Sequence, residues 1–135
     1  MKTAVIYWSG TGNTEAMAKA IAEGAEAELF SVSEFSGNVN EYDRVAFGCP
    51  SMGAEELEES EFAPFFDSIE AELNGKTIGL FGSYGWGDGE WMRLWVDRCT
   101  TAGAVIVNGE GLIINETPSD DDLNTCRNFG KKLSE

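Results

Sequence analysis

Hydrophobic residues along the chain fall into short continuous runs separated by amphipathic stretches. The runs are rich in Val, Ile and Phe and have the length of β-strands. They cover Thr3–Tyr7, Leu29–Val32, Val45–Cys49, Ile78–Phe81 and Ala104–Val107. Because these runs lack the alternation of a strand with one wet face, we expect strands that are buried on both faces.

The stretches between the runs repeat apolar residues at helical spacing. Helices are predicted at Glu15–Glu23, Glu61–Leu73, Trp91–Thr101 and Asp120–Leu133. The last has a clear start, since Ser119 and Asp122 have the spacing of a capping box and Pro118 precedes them. Strands that alternate with helices predict a doubly wound α/β fold, with a parallel sheet and helices on both faces.

Length and composition predict one domain spanning residues 1–135. The chain has 135 residues and 42% hydrophobic content, which suffices for one core and leaves no surplus for a second. No apolar run is long enough to span a bilayer, and the first eight residues lack the long apolar region of a signal peptide. We therefore expect a cytoplasmic protein with no membrane partner.

The charge balance is strongly acidic. Asp and Glu number 24 against 9 Lys and Arg, a net charge of -15. Nucleic acid and anionic membranes would repel such a protein, and macromolecular partners should present basic patches. Acidity that merely keeps the protein soluble explains the same numbers, and charge alone does not decide between the two interpretations.

Histidine and cysteine usage excludes several kinds of site. The chain has no His, which removes the commonest general base and transition-metal ligand. Cys49, Cys99 and Cys126 are far apart and form no C-x-x-C pair, which argues against a disulfide framework, a zinc site or an iron–sulfur cluster. We expect buried or incidental thiols and no metal site.

The loop after the first strand has the composition of an anion site. Hydroxyls and glycines precede a helix, where backbone N–H groups converge. No Lys follows the second glycine, and the third glycine of a dinucleotide fingerprint would fall on Glu15, so neutral donors must hold a phosphate. A plain turn with a helix cap is the alternative. The candidate residues are Ser9, Gly10, Thr11, Gly12, Asn13 and Thr14.

Two further loops reach the same edge, because the carboxyl ends of parallel strands lie together. Tyr84 and Trp86 stand between glycines, which favours packing against a planar ligand, although the rings could instead fold back onto the protein. Met52 offers a polarizable thioether, and the peptide of Gly53 can rotate. Trp91 and Trp95, at helical spacing, are predicted to be core residues. The candidate residues are Pro50, Ser51, Met52, Gly53, Ala54 and Glu55 in one loop, and Ser83, Tyr84, Gly85, Trp86, Gly87 and Asp88 in the other.

Together the loops S-G-T-G-N-T, S-M-G-A-E-E and S-Y-G-W-G-D-G closely resemble the short-chain flavodoxins of anaerobic bacteria such as clostridia. The resemblance covers essentially the whole chain. It implies a flavodoxin-like five-stranded parallel sheet in the order 2-1-3-4-5 and non-covalent FMN, with Ser9 to Thr14 and Ser83 around the phosphate. Trp86 and Met52 would lie on opposite faces of the isoalloxazine, and Glu55 would accept from the N3–H edge. Backbone groups of Gly85, Gly87 and Asp88 would line the pyrimidine side.

The resemblance also implies a function. The chain would be a low-potential one-electron carrier, not an enzyme, whose FMN cycles between semiquinone and hydroquinone. A Gly53 carbonyl turned toward the flavin would favour the first state, and Glu55, Glu56, Asp88 and Glu90 would disfavour the second. The implied partners are oxidoreductases, hydrogenases or ferredoxin-dependent enzymes with basic docking patches, and the implied state is a monomer.

Two alternatives remain open from the sequence. One is an FMN-dependent reductase of the same fold, acting on a quinone or in a radical-generating system. The other is a non-catalytic partner domain that docks through the acidic run 55–61. The sequence leaves open whether Asn115 and Glu116 touch the flavin. It leaves no room between Ala104 and Asn115 for the extra loop of long-chain flavodoxins.

Overall fold

The fold is described from a computed structural model, which describes residues 1–53 and 55–135. Strands and helices alternate along most of the chain, as the hydrophobic pattern predicts. The strands are β1 Thr3–Tyr7, β2 Glu28–Ser31, β3 Arg44–Gly48, β4 Thr77–Tyr84, β5 Val105–Ile106 and β6 Leu112–Asn115. The α-helices are α1 Asn13–Ala25, α2 Phe62–Ile69, α3 Glu90–Thr101 and α4 Asp120–Leu133.

All strand pairings in the sheet are parallel, in the order β2-β1-β3-β4-β5. This confirms the predicted doubly wound fold and strand order. Helices α1 and α4 cover one face of the sheet, and α2 and α3 cover the other. The C-terminal ends of β1, β3 and β4 consequently meet at one edge, where each continues into a loop.

The fifth position of the sheet is filled by two short segments rather than one strand. β5 pairs with Thr77 and Ile78, whereas β6 pairs with the other end of β4, from Phe81 to Tyr84. Residues 107–111 lie between them, and consecutive positive φ angles at Asn108 (65°) and Gly109 (74°) interrupt the extended backbone. The predicted strand at Ala104–Val107 therefore covers only the first segment, and the interruption is short.

Strand β2 departs from the expected burial. Its residues are exposed or half-buried, and Leu29 keeps 36% of its surface accessible. The cause is its edge position, since β2 pairs only with β1 and its other side faces solvent. β1, in contrast, is buried along its whole length, as expected for a strand inside a doubly wound sheet.

Aromatic packing dominates the core between the sheet and helices α2 and α3. The rings of Phe62 and Phe66 each lie 5.5 Å from that of Trp95, in edge-to-face contact. Trp91 and Trp95 are 2% exposed, which confirms their prediction as core residues. α2 ends at Ile69 and passes into a 3₁₀ turn at Glu70–Leu73, so the helix predicted at Glu61–Leu73 changes type in its last turn.

On the opposite face, α1 and α4 pack with their backbones in close approach. A Cβ at Gly24 would collide with the carbonyl of Arg127, and one at Gly130 with the carbonyl of Ile21, so the two glycines allow this contact. The predicted capping box of α4 is present. Cys49, Cys99 and Cys126 are buried free thiols. Within the described residues, no helix combines the length and apolar character needed to cross a membrane.

Candidate functional site

The candidate loops lie side by side at the C-terminal edge of the sheet, joined by backbone hydrogen bonds. The N–H of Trp8 donates to the carbonyl of Gly48 at 3.0 Å, and that of Ser51 donates to Ser83 at 3.0 Å. The indole N–H of Trp91 also donates to the Cys49 carbonyl at 3.3 Å. The strand ends are thus fixed to one another before any ligand is considered.

Loop 9–14 folds around the Ser9 hydroxyl. Its Oγ accepts from the backbone N–H of Gly12 at 3.1 Å and from that of Glu15 at 3.2 Å. Gly12 has a φ of 96° and caps α1 without a side-chain hydrogen bond. The N–H groups at the start of α1 therefore converge on one oxygen position, which is the arrangement expected of an anion site.

Thr14 and Ser83 join the first and third loops from within. Thr14 is fully buried and Ser83 is 4% exposed. Their hydroxyl oxygens lie 2.9 Å apart, and Thr14 Oγ1 also accepts from the N–H of Ser83 at 3.3 Å. These hydroxyls therefore join the first turn of α1, which contains Thr14, to the end of β4, which contains Ser83.

Loop 50–55 turns back on itself at the site edge. Met52 and Glu56 form an antiparallel bridge, with N–H to carbonyl distances of 2.8 and 2.9 Å. Gly53 has a φ of 48° with no atom near its Cβ position, and Glu55 adopts a φ of 56°. Positive φ is rare for Glu and identifies a constrained turn. Ala54, also a candidate, lies outside the described residues.

Glu58 anchors the far end of this loop. Its buried carboxylate accepts from the N–H groups of Ser60, Glu61 and Phe62 at 2.7 to 2.8 Å, at the start of α2. Burial acts to raise the pKa of this carboxyl, but the N–H donors outweigh burial and lower it. The Glu58 N–H donates to the Cys49 thiol, whose own pKa burial raises to about 12.

Segment 83–88 presents one aromatic ring to solvent and turns another inward. Its first two residues, predicted to be loop, are the end of β4, which extends beyond the predicted Ile78–Phe81. Trp86 is 63% exposed, at the same edge as Met52, which is 38% exposed. The ring of Tyr84 instead packs on Trp91, with centroids 5.7 Å apart. The ring of Tyr84 therefore folds back in part onto the protein, which was the alternative left open for it, whereas the ring of Trp86 is exposed and can cover a ligand.

A carboxylate oxygen without a partner lies between the second and third loops. Glu55 Oε1 is buried and accepts no hydrogen bond from the residues that the structure describes, and its carboxylate lies directly against the backbone of Gly87. Gly87 has a φ of 85°, and a side chain there would collide with Glu55. A buried acceptor of this kind requires a donor, which a ligand can supply.

A surface cleft of about 220 Å³ connects these loops. Its lining includes two residues that are absent from the predicted set. Trp8 precedes the first loop, and its ring contacts the Cβ position of Gly10. Glu116 follows β6, where its N–H donates to the Tyr84 carbonyl at 2.7 Å. Trp8 could have been predicted as a site residue, because it directly follows the predicted strand Thr3–Tyr7. The predicted residues that line the cleft are Gly10, Thr11, Asn13, Pro50, Ser51, Met52, Ser83, Tyr84 and Gly85.

The chemistry of this edge fits FMN. Convergent N–H groups at one end suit a phosphate, while an exposed indole and a thioether suit a planar apolar ring. The Glu55 oxygen suits an N–H on the edge of such a ring. No cationic side chain lines the described part of the cleft.

Comparison with known proteins agrees with this geometry. The family model described as Flavodoxin matches residues 5–130. The chain is 45% identical to a flavodoxin of Megasphaera elsdenii, covering 94% of both chains, and 43% identical to one of Clostridium beijerinckii, covering 96% of this chain and 97% of the relative. The solution structure of two-electron reduced Megasphaera elsdenii flavodoxin superposes with a TM-score of 0.84, at 41% identity and 98% coverage of both chains.

Proposed function

The chain belongs to the flavodoxin family and is an FMN-binding electron carrier rather than an enzyme, and we propose that the cleft between loops 9–14, 50–55 and 83–88 holds the FMN. When bound, FMN supplies one-electron redox chemistry. The chain binds and orients the flavin and sets its electrostatic surroundings. Residues 1–135 are proposed to act as one FMN-binding domain.

Loop 9–14 is the proposed phosphate end. Support comes from the N–H groups of Gly12 and Glu15, which already converge on the Ser9 hydroxyl at 3.1 and 3.2 Å. An ionised phosphate oxygen is a stronger acceptor than a hydroxyl, so these donors suit it better than their present partner. Thr11 and Asn13 line the adjacent cleft and provide further neutral donors.

The ring end carries the proposal. Trp86 is 63% exposed, Met52 is 38% exposed, and Glu55 has a buried oxygen without a hydrogen-bond partner among residues 1–53 and 55–135. Exposed apolar groups at one edge favour an apolar occupant, and the orphan acceptor favours a donor on that occupant. A flavin has both a planar ring and an N–H edge. This combination supports a flavin between Trp86 and Met52, with its N–H edge at Glu55.

Backbone groups of the glycine-rich segments complete the proposed ring end. Gly53 has no neighbour within 4 Å of its Cβ position, so its peptide can reorient toward the ligand. Gly85 is similarly open, and Gly87 has a positive φ. Together with Asp88, these residues are proposed to offer N–H donors and carbonyl acceptors to the edge of the flavin ring. The hydrogen-bond donors and acceptors that this edge presents change with its redox state.

The surrounding charge supports a low potential. Glu116 is exposed and lines the cleft, and Glu55, Glu56, Asp88 and Glu90 lie in or next to the loops that form it, the last three of them exposed. Carboxylates near a bound flavin disfavour the addition of negative charge to it. We therefore expect its last reduction step to be difficult, as a carrier that donates electrons at low potential requires.

Reductive titration of the FMN-loaded protein distinguishes a carrier from a two-electron reductase. Stepwise dithionite addition at neutral pH should produce a long-wavelength absorbance band of one-electron-reduced flavin that rises and then falls. Direct bleaching without the band, together with steady NADH oxidation by the protein alone, would contradict the carrier.

Trp86→Ala should weaken FMN binding about tenfold or more, from the size of aromatic stacking on a base. Val105→Ala, exposed at the sheet edge, is the control.

A flavodoxin exchanges electrons with redox partners. We propose that these are oxidoreductases, including hydrogenases or ferredoxin-dependent enzymes, with basic docking patches, and that the protein is a cytoplasmic monomer. The net charge of -15 supports basic partners. Electron transfer to such an enzyme should slow as ionic strength rises. Rates that are independent of salt would argue against electrostatic docking.

A further inference from the structure

The loop that carries Trp86 has little intrinsic stiffness. Gly85, Gly87 and Gly89 alternate through it, and the last two have φ angles of 85° and 93°. Residues 85 to 88 are all exposed, and glycine loses more conformational freedom on ordering than any other residue. A defined position for Trp86 therefore requires contacts from outside the loop.

Arg93, on the first turns of α3, provides such a contact. One guanidinium nitrogen, Nη1, donates to the backbone carbonyl of Asp88, and Nη2 donates to its carboxylate, both at 3.0 Å. Within the part of the chain that the structure describes, no other side chain hydrogen-bonds to residues 85–88. The guanidinium thus ties the loop to a helix that is packed on the core through Trp91 and Trp95.

We infer that Arg93 is a positioning residue for FMN: its guanidinium fork holds loop 85–88 in the conformation that places Trp86 against the flavin. The inference rests on the proposed placement of the flavin at Trp86. A loop fixed in advance binds more tightly, because less freedom is lost on binding. The effect should be moderate, since the Arg93 side chain is 61% exposed and solvent weakens its pairing with Asp88.

The planar geometry of the Arg93 guanidinium, rather than its charge alone, allows the two hydrogen bonds to Asp88. A guanidinium is planar and donates through two nitrogens to two separate acceptors, whereas the single ammonium of lysine does not reproduce this spacing. The neighbouring guanidinium also lowers the pKa of the Asp88 carboxyl.

The experiment measures the FMN dissociation constant of the full chain and of four variants. Arg93→Gln removes the fork and the charge, and Arg93→Lys keeps only the charge. Arg127→Gln is the matched control, since Arg127 forms a similar exposed pair with Glu23 at 3.1 Å near the C-terminal end of α1. Trp86→Ala tests the proposed flavin position independently. Amide exchange at Gly87 and Asp88 in the FMN-loaded protein reports loop order without reference to electron transfer.

We expect Arg93→Gln and Arg93→Lys to weaken FMN binding about fivefold to tenfold and to speed amide exchange at Gly87 and Asp88. Arg127→Gln should change neither quantity. Wild-type affinity and exchange in Arg93→Gln, with weaker binding in Trp86→Ala, would overturn the inference and leave the proposed site intact. Wild-type affinity in Arg93→Lys would show that a positive charge suffices and would overturn the claim that two guanidinium nitrogens are needed to hold the loop. Unchanged affinity in Trp86→Ala would remove the proposed site, and the inference with it.

Discussion

Replacing Glu58 with Gln should destabilise the protein by an amount that depends on pH. The carboxylate is 7% exposed and accepts from the backbone N–H groups of Ser60, Glu61 and Phe62. In Glu58→Gln one oxygen remains as an acceptor, but the amide NH₂ replaces the other. The NH₂ faces the N–H of Ser60 as a second donor, so that N–H loses its partner.

The magnitude follows from the contacts that change. Hydrogen bonds to a charged acceptor contribute about 1 kcal/mol more than neutral ones. In Glu58→Gln the bonds from Glu61 and Phe62 go to a neutral oxygen, and the bond from the exposed Ser60 is lost. The free energy of unfolding should therefore fall by about 2 kcal/mol at pH 7. For a chain of 135 residues this corresponds to a decrease in melting temperature of about 6–10 °C.

The pH dependence has a definite sign. Burial opposes ionisation of Glu58, but the N–H donors prevail and lower its pKa below the ordinary value of 4.5. The carboxylate consequently contributes its full stability above that value and loses it as pH falls through the folded-state pKa. The difference in free energy of unfolding between wild type and Glu58→Gln should be constant from about pH 6 to 8 and should shrink in acid.

Urea unfolding of the chain without FMN measures this, because ligand binding then adds nothing to the stability. Glu59→Gln is the matched control, since Glu59 is the exposed neighbour and loses the same charge. A loss under about 0.5 kcal/mol in Glu58→Gln at pH 7, or a difference that persists undiminished at low pH, would refute the role of the Glu58 carboxylate as acceptor for the N–H groups at the start of α2.

Further substitutions test other contacts of the site and the core by urea unfolding. Thr14→Val leaves the buried Ser83 hydroxyl without its partner and should cost about 1–2 kcal/mol; an unchanged midpoint would contradict the bridge between loops. Gly82→Ala puts a methyl group against the Cys49 carbonyl oxygen and should cost about 1–3 kcal/mol, and a stabilised variant would contradict this packing. Arg98→Gln breaks ion pairs with two carboxylates, but because the pairs are partly exposed it should lower the free energy of unfolding by less than about 1 kcal/mol. A larger loss that persists at high salt would show that burial makes these pairs stronger than their exposure suggests.

The sheet and the common edge of the candidate loops could be predicted from the sequence because both depend on strong local signals. Continuous apolar runs specify strands inside a parallel sheet, and loops that follow such strands share one edge. Ser9 and Trp86 could therefore be assigned to one site although they are far apart along the chain. Their composition, hydroxyls beside glycines and rings beside glycines, then indicated the two ends of a ligand.

What the sequence did not predict depends on edges and on tertiary register. The exposure of β2 follows from its edge position, and the break after β5 follows from positive φ at Asn108 and Gly109, which no local pattern reveals. Glu116 reaches the cleft only because β6 pairs with the far end of β4. The pairing of Arg93 with Asp88 likewise needs the loop geometry, since the sequence alone suggests only uncompensated acid at this edge.

The two ends of the site differ in how the protein holds them. Loop 9–14 is joined to its neighbours by the buried Thr14 and Ser83 hydroxyls, so its donors are fixed whatever the flavin does. At the proposed ring end, Gly53 is open, Trp86 is exposed, and Arg93 donates two hydrogen bonds to Asp88. A carrier must keep its cofactor through every redox cycle and yet meet different hydrogen-bonding needs at the ring in each state. If the flavin binds as proposed, the phosphate end joined by buried hydroxyls meets the first need, and the open peptide of Gly53 at the ring end meets the second.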